Sequence, residues 1–194
     1  MPRQKTFDEK TVIKDAMELF WEKGFHQTSI QYLVENLGVN RASLYETYSD
    51  KEGLFNESFA LYRNLVQQNI QTIFTNSKNV KDGFNSFIKY FIFDLLNQRN
   101  GCLISNTFSE LLPTENQKTE QKLEETRLIW RNMIINILEK AEKQKELKTE
   151  IKIPETADFL YTLIIGIALM SKTKIDSNQL LNTLNNFRDK ILFK

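Results

Sequence analysis

The 194-residue chain has little of what most chemistry and most irregular structure require. Its one cysteine, Cys102, excludes an intrachain disulfide, and with one histidine, His26, it offers no metal-ligand spacing. It also lacks a glycine-rich phosphate loop, so neither an enzyme nor a bound metal or cofactor is expected. Carboxylates are plentiful but occur with lysines in patterns such as EKAEKQKE, which suit a solvated helix face. Three prolines and six glycines leave long stretches rich in Leu, Ile, Glu, Lys and Gln unbroken, the composition of an all-α protein. There is no internal repeat or low-complexity tract. The longest apolar stretch, Phe159 to Met170, is short for a bilayer span and contains Thr162 and Gly166. The opening MPRQKTFDEK does not resemble a signal peptide, so a soluble, cytoplasmic protein without a membrane partner is expected. Charge of one sign is missing too. Lys and Arg number 26 against 25 Asp and Glu, and residues 1–55 hold seven basic and nine acidic side chains. Nucleic-acid binding by this chain would therefore rest on placed residues, Arg3, Lys5, Lys10, Arg41 and Lys51, and not on net charge.

What is present is a pair of short amphipathic patterns around a glycine turn, TSIQYLVENLGVNRASLYETYSDK, residues 28–51. Thr28 followed by Gln31 has the spacing of a capping box, and Ile30, Leu33, Val34 and Leu37 form one apolar side. Gly38 can adopt the left-handed conformation that ends a helix, and Val39 can fill the corner. Asn40 suits the N-cap of a second helix from Arg41 to about Thr47, with Leu44 and Tyr48 inward. Asn40, Arg41, Ser43, Tyr45 and Thr47 are then left around the exposed side. Hydrogen-bonding side chains near the N-terminus of a helix that fits the major groove are what base and phosphate contact requires. The same pattern also describes an ordinary helical hairpin with a solvated face. Upstream, Val12, Ile13, Ala16, Leu19 and Phe20 make an amphipathic helix ending at Gly24. Downstream, Ser49 or Asp50 caps a fourth helix opening with Lys51 and Glu52.

Taken together, VIKDAMELFWEKGF, TSIQYLVENLGVNRASLY and DKEGLF resemble the DNA-binding domain of the TetR family of bacterial transcriptional regulators over about residues 7–60. The resemblance implies that Thr28 and Ser29 touch phosphate and that Asn40, Arg41, Ala42 and Ser43 face bases or nearby phosphates. Tyr45 would lie against a phosphate or a thymine methyl, Thr47 would donate to phosphate, and Lys51 would hold the backbone at a helix N-terminus. The chain departs from the family in having Thr47 where His or Tyr is common and Glu46 where an aromatic or basic residue is frequent.

Beyond Lys51 the helical pattern runs to about Asn76, and a second runs from Val80 to Asn97. The domain boundary is placed inside the fourth helix, giving a DNA-binding domain at 1–55, with its recognition motif at about 29–48, and a ligand-binding and dimerisation domain at 56–194. About nine helices are expected. Phe84, Phe87, Tyr90, Phe91 and Phe93 are dense enough to line an apolar ligand pocket or to fill a core. NGCLISNTFSELLP follows, and its Cys102, Asn106 and Glu110 resemble a pattern found in a subset of TetR-type regulators, some of which sense electrophiles or oxidants through the cysteine. A helix N-terminus would assist by lowering the thiol pKa, Lys89 and Arg99 are the nearest basic residues, and a lone cysteine also serves as a small buried hydrophobe.

A long helix from Glu115 to about Glu146 has Leu123, Trp130, Met133, Ile134, Ile137, Leu138 and Ala141 on its buried side. The segment ETADFLYTLIIGIALMSK is apolar nearly all round, so a symmetry mate is its simplest second cover. The last helix (Leu180, Leu184, Phe187, Ile191) would complete an intersubunit four-helix bundle, with Gly166 permitting close approach. The expected protein is a homodimeric repressor, released from palindromic double-stranded operator DNA by a small apolar inducer or by an electrophile or oxidant. The alternative is a helical sensing or protein-interaction module without specific DNA readout, which Glu46, Thr47 and the acidic head favour.

Overall fold

The computed structural model describes residues 7–97, 100–114 and 116–194. Arg3, Lys5, Arg99 and Glu115 lie outside the described residues. Within them the chain forms nine α-helices: α1 (Glu9–Lys23), α2 (Ile30–Leu37), α3 (Arg41–Tyr48), α4 (Lys51–Thr75), α5 (Val80–Asn97), α6 (Leu103–Leu111), α7 (Gln117–Lys143), α8 (Ile153–Met170) and α9 (Ser177–Phe187). A π turn, Arg188–Leu192, follows α9, and an isolated antiparallel bridge joins Leu147 to Phe193. The all-α expectation holds.

Local chemistry explains most boundaries. Asp8 accepts the amides of Lys10 and Thr11 at the start of α1, and Asp176 accepts those of Asn178 and Gln179 at the start of α9. Pro154 sits in the first turn of α8, where its missing amide donor breaks no helical bond. Where α2 begins, the capping box is corrected: Ser29, not Thr28, accepts the Tyr32 amide. Gln31 turns outward to donate to Glu35.

The first core gathers Val12, Ala16, Phe20, Leu33, Leu44 and Phe55, and it continues without a break to Leu103, Ile104 and Leu123 of α6 and α7. The N-terminal three-helix unit is thus seated on the rest of the molecule through packed side chains. Helix α4 lies along α1 at one end and against α5 farther on, so one rigid rod crosses the expected domain boundary. Two further cores fill the C-terminal part, one around Leu138, Leu192 and Phe193, the other around Ile88, Ile167 and Leu184.

Helix α8 begins before the apolar run read from the sequence. It has 18 residues with a mean hydropathy of 1.4, long and apolar enough by length and composition to cross a membrane. Its inner side is packed through Ala157, Leu160, Ile167 and Ala168, and its outer side presents Phe159, Leu169 and Met170. The Arg131 guanidinium on α7 donates to Asp158 on α8 at 2.5 and 3.1 Å, an exposed ion pair. Ile191, expected on the buried face of the last helix, is 54% exposed because α9 ends at Phe187 and the π turn rotates it outward.

Candidate nucleic-acid interface and internal cavity

Helix α3 is held in place from both ends. Gly38 at φ 64° and ψ 22° closes α2 in the left-handed region, where a side chain is strained. Asn40 accepts the Ser43 amide at 2.8 Å and starts α3. Leu44 is fully buried and Tyr48 nearly so, one turn apart on the inner face. Burial pushes the Tyr48 hydroxyl up to about 12, and the charges of Glu9, Glu57 and Asp8 add to the shift. At the far end Asp50 accepts the Gly53 amide at 2.7 Å. A β-carbon on Gly53 would come 1.9 Å from the Tyr48 carbonyl oxygen, so the corner between α3 and α4 closes only around glycine.

The outer face of α3 carries Arg41, Ala42, Tyr45 and Glu46 exposed, with Ser43 and Thr47 half-buried beside them and Asn40 exposed at the cap. Arg41 lies back along the helix, its guanidinium 5.5 Å from the Tyr45 ring centroid and donating to the Tyr45 hydroxyl at 3.4 Å. The two side chains thus form one amphipathic unit with a planar cation on it, suited to a guanine edge or a phosphate. Ser29 is exposed at the start of α2. Thr28 is not: it is fully buried, and its hydroxyl donates to the Gly24 carbonyl at 2.6 Å, which removes it as a phosphate donor and makes it a brace for the loop.

Lys51 is also placed differently from the expectation. Its ammonium donates to the Phe25 carbonyl at 2.9 Å and stands 4.2 Å from the centre of the Phe25 ring. Burial holds it below the usual lysine value, against the opposing pull of Glu110. It braces the loop between α1 and α2 more directly than it faces outward.

That loop is gripped from the C-terminal part as well. The Glu110 carboxylate, at the end of α6, accepts the Phe25 amide at 2.9 Å and the His26 amide at 2.6 Å. Glu110 therefore does not belong to a ligand pocket, where its spacing from Cys102 and Asn106 suggested it. Asn106 is outside the pocket too, donating to the Asn100 carbonyl at 2.7 Å. The only signal in the sequence for the Glu110 contact was a carboxylate on the last turn of a short helix, which does not identify its partner.

Phe84, Phe87, Phe91 and Cys102 are brought together around a cavity of about 120 Å3 bounded by α4, α5, α7, α8 and α9. Phe87 and Phe91 stack at 5.5 Å, and Phe74 meets Phe84 edge-on at 5.4 Å. Tyr90 is also on the wall, whereas Phe93 is 71% exposed. Cys102 occupies the N-cap position of α6 and receives a long contact, 3.7 Å, from the Tyr62 hydroxyl. Sequence reasoning missed Phe74, Trp130, Met133 and Tyr161 on this wall, because they come from three separate helices and only the fold makes them neighbours. Among the described residues no cluster of His, Cys, Asp and Glu has the makings of a metal site.

Residues 12–58 match the family described as bacterial regulatory proteins, tetR family, and residues 84–187 match the tetracyclin repressor-like C-terminal domain. The HTH-type transcriptional repressor ComR of Escherichia coli is 24% identical over 173 residues, 88% of this chain and 82% of that protein. An uncharacterized HTH-type regulator of Bacillus subtilis, YezE, is 47% identical over 55 residues, 28% of each chain. Among solved structures, reduced E. coli NemR superposes with a TM-score of 0.82 at 16% identity, covering 94% of this chain and 95% of that one. A cysteine mutant of the regulator CifR, complexed with 26-base-pair double-strand operator DNA, superposes with a TM-score of 0.81 at 20% identity, covering 96% and 97%.

Proposed function

The chain belongs to the TetR family of bacterial regulatory proteins, and from that premise we propose that it is a cytoplasmic transcriptional repressor whose α3 reads a palindromic operator. The observation that carries this reading is the exposed Arg41–Tyr45 unit on a short helix fixed by Gly38, Asn40 and Gly53. Asn40, Arg41, Ala42, Ser43 and Tyr45 face the bases and flanking phosphates, while Ser29, Thr47 and the free amides opening α4 beside Lys51 hold the backbone. CifR bound to its operator provides the precedent for this geometry at the level of the fold.

The division of labour falls within α4, with residues 1–55 binding DNA and 56–194 sensing and dimerising. The outer side of α8, carrying Phe159, Leu169 and Met170, pairs with its copy together with α9, and burial of this face offsets the cost of its exposure in one chain. A small inducer occupies the cavity, and the α6 carboxylate on the α1–α2 loop links cavity to head. Cys102 on the cavity wall supports a second input, in which an electrophile or oxidant modifies the thiol.

The experiment is protection of the DNA upstream of the chain's own coding sequence. A protected stretch with two-fold symmetry is expected. A folded dimer that protects nothing at low salt would favour the alternative, a sensing or interaction module without DNA readout.

A further inference from the structure

A second cavity lies at the seam between the N-terminal unit and the rest of the molecule. The loop joining α1 to α2, the first turns of α4, the end of α6 and the start of α7 bound it, and no residue of its wall is shared with the internal cavity. It measures about 240 Å3, twice the internal one. An engineered apolar cavity of about 150 Å3 accepts benzene, so the space here holds a ring with a short chain attached.

The floor of this cavity is aromatic. Phe25 meets Phe55 at 5.0 Å, and Phe55 stacks on Phe59 at 5.8 Å, with Leu111 and Leu123 beside them. Phe55 and Phe59 are already buried, so an apolar group laid on them completes a surface that the protein has largely withdrawn from water.

The remaining wall carries both signs of charge. One face of α4 supplies Glu52 and Asn56, and one face of α7 supplies Thr119 and Lys122. Glu52 is half-buried, and its carboxylate accepts from the Thr119 hydroxyl at 3.5 Å, the long limit of such a bond. Lys122 is exposed. Neither forms an ion pair with the other or with any described residue. A carboxylate and an ammonium that line one space from two helices without meeting are complementary to a molecule that carries both charges. A lone anion would meet Glu52 uncompensated, and a lone cation would meet Lys122.

We propose that this seam cavity binds a small zwitterion with an apolar side chain, the chemistry of a hydrophobic amino acid, its ammonium on Glu52, its carboxylate on Lys122 and its side chain on the Phe25–Phe55–Phe59 floor. Such a ligand ties the start of α4 to α7 where the long Thr119–Glu52 bond now links them, and so steadies the N-terminal unit on the body. The inference goes beyond the reading of the internal cavity as an inducer site and depends neither on it nor on DNA binding.

Four probes test it by calorimetric titration of the full-length, DNA-free protein: L-phenylalanine, 3-phenylpropionate, which lacks the ammonium, phenethylamine, which lacks the carboxylate, and glycine, which lacks the ring. L-Phenylalanine should bind about tenfold more tightly than either single-charge probe, the cost of one lost charged contact, and glycine should not bind detectably. In Glu52→Gln the preference for L-phenylalanine over 3-phenylpropionate should vanish, and in Lys122→Gln its preference over phenethylamine should vanish. The proposal is overturned if L-phenylalanine does not bind, if a single-charge probe or glycine binds as tightly, or if the variants retain these preferences. Should Glu52→Gln fail to fold, Lys122→Gln, altered at an exposed side chain, decides together with the ranking on the unaltered protein. Because DNA is absent, failure here is distinct from failure of the repressor reading, which ligand-free operator binding tests separately.

Discussion

Arg41 and Tyr45 were legible from sequence because a four-residue spacing on a capped helix puts two side chains on one face whatever surrounds them. If Arg41 contacts a guanine, Arg41→Ala should weaken operator binding by about 1–3 kcal/mol and relax preference at one position of each half-site. Fluorescence anisotropy on matched and substituted duplexes measures both, and unchanged affinity and preference would exclude that role. Thr28 and Ser29 were harder, because both hydroxyls have capping chemistry and only the fold sends one inward to Gly24 and leaves the other for Tyr32. Glu110 was misplaced for a related reason. Helical periodicity aligned it with Asn106, but its partner Phe25 is 85 residues earlier, a distance no local pattern spans.

The Glu110 contact is testable. Glu110→Ala removes the acceptor of two amides and should lower stability by about 1–3 kcal/mol, the value of hydrogen bonds to a charged group, in urea unfolding followed by circular dichroism. It should also blunt the release of DNA by any cavity ligand while leaving ligand affinity unchanged. Tyr48 and Tyr161 give a pH signature. Both hydroxyls are pushed up to about 12 by burial, above the ordinary 10, so the folded state retains protons that the unfolded chain gives up. Their contribution is constant below pH 10 and is lost as pH rises from 10 towards 12. The urea midpoint should therefore fall between pH 9 and pH 11, and fall less in Tyr161→Phe. An equal fall in both proteins would deny Tyr161 a part.

At the scale of elements, the bounds of α5 were read correctly from local chemistry, the cap of α2 was assigned one residue early, and the end of α9, set by tertiary contact, was missed. Val80–Asn97 was bounded by a polar break on one side and a Gly-containing segment on the other, and α5 has those ends. The end of α9 at Phe187 carries no such mark. Its π turn follows from the burial of Leu192 and Phe193 and the bridge to Leu147, both contacts with distant parts of the chain. Gly53 shows the same limit, since a glycine in the first turn of a helix reads as a mild weakness until Tyr48 is seen against it. Gly53→Ala should force the corner between α3 and α4 to open, lowering Tm and reducing operator binding more than Gly166→Ala, where a β-carbon meets open space in the single chain. Equal loss in the two variants would show that the close approach is relieved without moving α3.

On the scale of the whole molecule, two features still require explanation: a near-neutral chain proposed to bind a polyanion, and a helix apolar on its outer side. A dimer answers both, because it covers α8 and doubles a modest set of contacts from each α3. Phe159, 52% exposed and 5.4 Å from the Phe187 ring, is at the centre of that argument. Phe159→Glu should place a charge in the covered face and shift the protein from dimer to monomer in sedimentation, with loss of palindrome binding. A dimer that persists unchanged would place the interface elsewhere.

The central claim, specific DNA readout by a dimer, is tested most directly by selecting bound sequences from random duplex DNA with the purified protein at two salt concentrations. The account predicts enrichment of one palindrome with half-sites about a helical turn apart, its affinity falling steeply between the lower and the higher salt. A folded dimer that enriches no sequence at either salt would contradict it.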